Sequence, residues 1–187
     1  MISTDILRNV FNNSGSDKSS SHNYEVAYGQ VLPDKIDSML EVGISNGHDG
    51  KSSLWAWGVL YPDAKIYGAD NDIVKLINND NIESYRLDQS DALQLFEFSK
   101  LFEKKLDVIV DDGSHVFKHA FLTYQFLFHL TDLYIIEDIA KNYNGWQQTV
   151  ADWKNELDGQ ENILYGVIDT LPEEQVDDSV VIWIKRK

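Results

Sequence analysis

The sequence predicts an α/β fold: a doubly wound sheet of about seven strands that is mostly parallel and ends in an antiparallel pair. Five short apolar runs lack the polar alternation of half-exposed strands, and helical patterns separate them. This arrangement is typical of a parallel sheet covered by helices on both faces. The last two apolar runs are joined by a short segment that contains Pro172 and no helical pattern. We therefore expect them to be antiparallel neighbours.

Each strand is expected where an apolar run ends in glycine or in a polar residue. The candidates are SMLEVGI (38–44), AKIYGAD (64–70), ESYRLD (83–88), LDVIVDD (106–112), LYIIED (133–138), ILYGVID (163–169) and SVVIWIKR (179–186). Helices are expected before and between them, at about 3–12, 51–60, 90–103, 116–130 and 146–157. The polar run SGSDKSSSHN (14–23) follows the first helix, and we expect it to be a loop.

Composition limits the class of protein and of ligand. A chain of 187 residues without cysteine is expected to form one domain that has no disulfides or thiolate metal sites. No apolar run approaches a membrane span, and the first residues, MISTDILRNV, lack a basic leader, so we expect a cytoplasmic protein. The net charge of −15 repels phosphate backbones and anionic lipids. Nucleic acid and membrane surfaces are therefore poor candidate partners.

The loop after the first strand, EVGISNGHDGKSS (41–53), fits two nucleotide-binding patterns incompletely. Its Gly-Lys-Ser end resembles a P-loop, but that pattern requires a glycine where this chain has Ser45. The alternative is a glycine-rich loop of the form acidic-x-Gly-x-Gly-x-Gly. Glu41, Gly43 and Gly47 match it, and Ser45 again replaces a glycine. The loop alone leaves both alternatives open.

Polar side chains at the ends of the second and third strands favour the glycine-rich loop. Asp70 ends the second strand, 23 residues after Gly47. A carboxylate at this place can accept hydrogen bonds from both ribose hydroxyls of an adenosine, and a P-loop protein needs none there. Asp88 and Gln89 follow the third strand and could bind the adenine amino group and ring edge. We therefore expect an adenosine over these strand ends.

The fourth and fifth strands each end in two carboxylates. Asp111 and Asp112 are followed by His115, and Glu137 and Asp138 end the next strand. Neighbouring strands lie about 4.8 Å apart, so the side chains can converge, and crowded carboxylates need a cation such as Mg²⁺. Strand alternation points Asp111 away from Asp112, into a structural role. The candidate metal ligands are Asp112, Glu137 and Asp138.

The order of elements resembles that of the class I S-adenosylmethionine-dependent methyltransferases, which have a Rossmann-like sheet. The acidic motifs narrow the resemblance to the metal-dependent sugar O-methyltransferases of the macrocin and mycinamicin type. Their Asp-x-x-His and Glu-Asp motifs match Asp112, His115, Glu137 and Asp138. GSDKSSSHNYEVAYG (15–29) also resembles that family's stretch before the first strand, and LDQSD and Trp57 fit as well. The similarity covers roughly residues 14–140.

The resemblance implies an O-methyltransferase that uses S-adenosylmethionine and Mg²⁺ and methylates a hydroxyl, of a vicinal diol, in a small sugar or polyol-containing metabolite. It implies that His115 removes the proton and that the three candidate carboxylates hold the metal. Residues 1–35 would form an N-terminal helix and a lid over the cofactor, and 36–187 the methyltransferase domain. The implied cofactor-binding residues are Glu41, Gly43, Ser45, Gly47, Asp70, Asp88, Gln89 and Asp111.

Other functions remain open for the same residues: a hydroxylase-like enzyme, a P-loop-like nucleotide-binding protein, or a cofactor-binding subunit without catalysis. Iron sites of hydroxylases usually combine two histidines with one carboxylate, whereas only His115 accompanies these acids. Retention of all four motif residues argues against loss of catalysis. Trp146 and Trp153, on one predicted helix, could form a substrate or dimer face, so a homo-oligomer stays open.

Overall fold

The structure, a computed structural model, describes residues 2–44, 52–72, 77–142, 145, 147–173 and 177–187. Within these ranges the helices are α1 (Thr4–Ser14), α2 (Asp17–Ser20), α3 (Glu25–Val31), α4 (Ser53–Leu60), α5 (Ala92–Ser99), α6 (Phe117–Leu127) and α7 (Val150–Leu157). The strands are β1 (Ser38–Val42), β2 (Lys65–Asp70), β3 (Ile82–Arg86), β4 (Leu106–Asp111), β5 (Thr131–Ile139), β6 (Ile163–Asp169) and β7 (Val180–Arg186).

The strands form one sheet in the order β3-β2-β1-β4-β5-β7-β6. The first five strands are parallel, and β7 runs antiparallel to both of its neighbours. The predicted α/β fold with an antiparallel end is confirmed. The strand order reverses between β1 and β4, and in open α/β sheets ligands bind at the carboxyl side of such a switch point.

Helices cover both faces of the sheet, which is why the central strands are apolar throughout. On one face, Leu7 of α1, Tyr28 of α3 and Trp57 of α4 belong to the same core as Met39 and Val110. On the other face, α5, α6 and α7 pack in the same way against the alternate residues of the strands. The N-terminal helices are thus part of the main core. Among the described residues, no helix is both long enough and apolar enough to cross a bilayer.

The polar run at 14–23 is not a loop, and this prediction was wrong. Gly15 ends α1 in the left-handed conformation (φ 72°), and Ser16 begins α2 by accepting the backbone N–H of Lys18 at 3.3 Å. The side chain of Lys18 is only 1% exposed. Local composition predicts exposure here, because the acidic partners that bury the lysine lie far away in the sequence.

Trp153 does not form a surface for a substrate or a second subunit. The side chain of Trp153, on α7, is fully buried in the core. Its Nε1 donates to Gln148 Oε1 at 3.0 Å. Trp146 lies outside the described residues. The apolar residues that recur along the otherwise polar α7 therefore indicate the side of the helix that packs against the sheet.

Candidate active site

A cavity of about 600 Å³ opens at the carboxyl ends of the central strands. It lies at the β1–β4 switch point, and its volume is in the range of small-molecule sites. Its walls come from the segments that follow β1 to β5, with additional residues from the N-terminal segment and the loop before β7. The titratable side chains that line it are Asp17, His22, Asp70, Asp88, Asp112, His115, His119, Asp138 and Asp178.

Carboxylates from the ends of β4 and β5 converge on one cation, which in this structure is an ammonium group of the chain itself. Lys18 Nζ donates to Asp112 Oδ2 at 2.7 Å and to Oε2 of Glu137. It also lies 3.2 Å from Glu41 Oε1. The second oxygen of Glu137 accepts the hydroxyl of Tyr28. The convergence was predicted from the sequence, but the lysine was not.

A bulge explains how two adjacent residues of β5 both contribute to this cluster. Strand alternation alone would turn Asp138 to the face opposite Glu137. The pairing of β5 with β7 shifts register at this point, and Asp138 has a φ of 52°. Bulges next to active sites commonly redirect a side chain in this way. Tyr24 holds Asp138 in this conformation. Its hydroxyl donates to Asp138 Oδ1 at 2.9 Å and accepts the backbone N–H of Asp138.

His115 completes a group of three residues that could hold a divalent cation. Its Nε2 lies 3.5 Å from Asp112 Oδ1 and 3.3 Å from Asp138 Oδ2. One ligand atom from each of the three residues lies within 4.8 Å of the others. Two carboxylate oxygens and an imidazole nitrogen are a suitable donor set for such an ion. Glu137, the third predicted metal ligand, is not in this group, and its two carboxylate oxygens accept Lys18 Nζ and the hydroxyl of Tyr28.

The charges of the cluster are strongly coupled. Burial raises the pKa of Asp138, and Asp112 adds to this effect, so that the value reaches about 8. Burial also raises the pKa of Glu137 well above its usual range, although Lys18 opposes the change. For Asp112, burial is outweighed by Lys18 and His115, and its pKa falls below the usual value. Lys18 and His115 thus favour the ionised form of Asp112.

The carboxylates beside His115 favour the protonated form of its imidazole. Burial alone would lower its pKa, but Asp112 and Asp138 outweigh burial and raise it to about 9. When protonated, the ring can donate a hydrogen bond from Nε2 toward these carboxylates. It can accept a proton only when their negative charge is balanced by another cation.

Asp70 lies on the cavity wall, where the sequence predicts a ribose partner. Its Oδ2 accepts the backbone N–H of Ile44 at 2.8 Å, and its Oδ1 accepts that of Asp72 at 2.7 Å. Asp70 therefore binds the backbone of Ile44, which follows β1, and faces the cavity.

Asp88 and Gln89 also line the cavity, but their side chains are used differently. Asp88 binds the following turn through Oδ1, which accepts the N–H of Ser90 at 2.9 Å and its hydroxyl at 2.6 Å. The amide of Gln89 donates to Asp111 Oδ1 at 3.2 Å and to Thr123 at 3.1 Å. Its oxygen accepts the N–H of Ser114. Gln89 thus holds the loop that carries His115 against the end of β3.

Two of the predicted cofactor-binding residues make buried structural contacts instead. Asp111 points away from the Asp112 cluster, as alternation predicts, and accepts the hydroxyl of Tyr134 at 2.9 Å. Burial raises its pKa to about 6. Glu41 is buried beside Lys18 and accepts the hydroxyl of Ser53 at 2.6 Å. Neither carboxylate lines the cavity.

Gly43 has a φ of 88°, and a Cβ at this position would lie 1.9 Å from the carbonyl oxygen of Asp112. Glycine is therefore required by the close approach of two strand ends. Gly43 also lines the cavity. Ser45 and Gly47 lie outside the described residues, so the glycine-rich loop and the P-loop alternative stay predictions.

Sequence reasoning from residue types missed Lys18, Tyr24 and Tyr28 as members of the cluster. All three lie within the stretch 15–29, whose resemblance to the sugar O-methyltransferases was the available signal. His22 lines the cavity, with its Nδ1 3.8 Å from Asp138 Oδ1. The closure of 1–35 over a cofactor stays a prediction.

No protein-family model matches this chain. The 8-demethyl-8-alpha-L-rhamnosyl tetracenomycin-C 2'-O-methyltransferase of Streptomyces olivaceus is 28% identical over 138 residues, which are 69% of this chain and 36% of that protein. Mycinamicin VI 2''-O-methyltransferase of Micromonospora griseorubida is 31% identical over 111 residues, 56% of this chain and 28% of that protein. The chain thus spans about a third of the length of these curated relatives. The resemblance to sugar O-methyltransferases is confirmed.

A solved structure extends the similarity to almost the whole chain. It is the MycE methyltransferase from the mycinamycin biosynthetic pathway in complex with Mg, SAH and mycinamycin VI. It matches with a TM-score of 0.77 and 22% identity, over 96% of this chain and 54% of that chain. At this level of identity the comparison establishes a shared α/β methyltransferase fold.

Proposed function

We propose that this chain transfers a methyl group from S-adenosylmethionine to a hydroxyl of a sugar or polyol, in a reaction that depends on Mg²⁺. The observation that carries the proposal is the meeting of Asp112, His115 and Asp138 in the same cavity that Asp70 and Asp88 line at the ends of β2 and β3. The relatives support the reaction class, because they are named as sugar O-methyltransferases. The solved neighbour, which contains Mg and SAH, supports the cofactors.

The residues present fit both groups. The oxygens of Asp112 and Asp138 are hard ligands suited to Mg²⁺, and His115 lies between them. We propose Glu137 as a third carboxylate ligand, because its Oε2 and Asp112 Oδ2 already bind the same ammonium. Asp70 is proposed to bind the ribose and Asp88 the adenine, since both line the cavity at neighbouring strand ends.

The cofactor, when bound, supplies an activated methyl group, and the divalent ion supplies a Lewis acid that lowers the proton affinity of an acceptor hydroxyl. His115 is proposed to be the base and not a metal ligand: its Nε2 would accept the hydroxyl proton once the charge of its two carboxylate neighbours is balanced. Asp112 and Asp138 orient the acceptor side of the cavity, and a vicinal diol offers two adjacent oxygens to such a site. His119, whose Nδ1 lies 2.9 Å from Ser114 Oγ, is the alternative base.

The test combines binding with turnover. Calorimetry should show that S-adenosylmethionine or its demethylated product binds with a Kd in the micromolar range and that ATP binds much more weakly. Methyl transfer from labelled cofactor to a rhamnoside should then require Mg²⁺ and stop when a chelator is added. Tighter binding of ATP would support the P-loop alternative instead. Transfer that persists in excess chelator would remove the metal from the proposal.

A further inference from the structure

Lys18 is the most thoroughly buried cation among the described residues, and three acidic side chains surround its ammonium group. Burial alone would lower its pKa, but Asp112, Glu137 and Glu41 outweigh burial and hold the value well above normal. In the described part of the chain, no other lysine or arginine forms an ion pair with any of these three carboxylates. An unpaired charge at this depth would be costly, so the four groups depend on one another.

We propose that Lys18 is a built-in counter-ion of the active site, which takes the place of a divalent cation beside Asp112 and Glu137 while no metal is bound. It is a positioning residue: it keeps the strand-end carboxylates assembled around one cation, so that the site is formed before any metal arrives. The statement about metal rests on the proposed function. The statement that Lys18 compensates the buried carboxylates does not.

The backbone around Lys18 is fixed, which a counter-ion of defined position requires. Ser16 caps the first turn of α2, and the carbonyl oxygen of Lys18 accepts the N–H of Tyr24 at 2.7 Å. Lys18 Nζ donates to Oδ2 of Asp112. The other oxygen of that carboxylate lies 3.5 Å from His115 Nε2. The lysine therefore sets which edge of Asp112 faces the cavity. The ammonium group of Lys18 lies behind Asp112, on the side away from the cavity.

Melting curves of Lys18→Met in chelator and in excess Mg²⁺ test the proposal. The matched control is Lys105→Met, which removes a lysine that pairs with Asp132 at the surface, at 2.6 Å. In chelator, Lys18→Met should melt far below the wild type, because three buried carboxylates lose the ammonium group that contacts all of them. Mg²⁺ should raise its melting temperature at least three times as much as that of the wild type or of the control. An equal response of the two lysine variants would overturn the proposal.

A double variant separates charge compensation from simple packing. Lys18→Met/Glu137→Gln removes one buried negative charge together with the ammonium, so it should melt above Lys18→Met in chelator. Electron paramagnetic resonance of Mn²⁺ gives a second measurement: Lys18→Met should bind Mn²⁺ at least tenfold more tightly than the wild type, because a nearby positive charge is gone. A double variant that melts no higher than the single one, or fails to fold, would overturn the counter-ion. If the double variant melts above Lys18→Met but no protein responds to Mg²⁺ or binds Mn²⁺, the role of Lys18 as a counter-ion is supported. The metal dependence in the proposed function is then contradicted.

Discussion

His115 and Asp138 adopt φ angles of 56° and 52°, in the left-handed region that residues other than glycine occupy uncommonly, although aspartate and histidine do so more often than most. Each conformation costs roughly 1–2 kcal/mol of strain. Both occur where the two side chains meet, 3.3 Å apart, at the edge of the cavity. Strain of this kind persists only where the surrounding structure imposes it, and it concentrates at functional sites. The backbone thus supports, independently of residue type, the assignment of these two residues to the site.

Substitution of His115 by asparagine tests its role without adding backbone strain, since asparagine tolerates a positive φ. We expect His115→Asn to melt close to the wild type and to lose methyl transfer by roughly 10²–10⁴-fold, because proton removal has a contribution of that size. His119→Asn is the matched control and should lose far less. Initial rates with labelled cofactor measure both. Turnover of His115→Asn within threefold of the wild type would assign the base to another group.

Asp70→Ala should weaken binding of S-adenosylmethionine by tenfold or more. Loss of a hydrogen bond to a charged group costs about 1.5–3 kcal/mol, and the variant also releases the N–H groups of Ile44 and Asp72. Asp63→Ala, in an exposed turn, is the control and should leave the affinity unchanged. Calorimetry measures both proteins. Unchanged affinity in Asp70→Ala would remove this carboxylate from the cofactor site.

The bounds of the strands could be predicted closely, because buried parallel strands are continuous apolar runs in the sequence. β4 and β6, for example, lie within a residue of the expected bounds. α2 could not be predicted in the same way, since its four polar residues show no helical period. The burial of Lys18 depends on Glu137, which is 119 positions away in the sequence. The bulge at Asp138 depends equally on pairing with β7, and the sequence of β5 alone does not reveal it.

The contact between the ends of β1 and β4 can be tested with two glycines that share a φ of 88°. A Cβ on Gly159 would meet nothing within 4 Å, whereas one on Gly43 would collide with the backbone of Asp112 and Gly113. Gly159→Ala should therefore cost only the strain of the conformation, about 1 kcal/mol in the free energy of unfolding. Gly43→Ala should cost about 1–3 kcal/mol more, because strand ends must move apart. Urea unfolding measures both losses, and equal losses would show that the strand ends yield without cost.

The negative charge of the whole molecule favours some classes of ligand over others. The net charge is −15, and six aspartates line the cavity. Lysine and arginine are absent from the described part of its lining, since Lys18 lies behind Asp112. Such a field attracts a cationic sulfonium and repels phosphate groups. The relatives act, by their names, on a rhamnosyl tetracenomycin and on mycinamicin VI. We therefore propose an acceptor sugar without phosphate as the substrate.

We therefore expect the chain to methylate a neutral glycoside with a kcat/KM at least 100-fold above that for the same sugar carried on a nucleoside diphosphate. The difference should shrink as salt rises, because the Debye length falls from about 10 Å at 0.1 M to about 3 Å at 1 M. Initial rates for the two acceptors at low and high salt measure this. Asp17 and Asp178 line the cavity with side chains 61% and 34% exposed. Their replacement by asparagine should raise the rate on the anionic acceptor, whereas Asp63→Asn, outside the cavity, should not. If the nucleotide sugar were the better acceptor in the wild type, the cavity would have to bind phosphate through residues outside the described part of the chain, and the neutral-sugar assignment would fail.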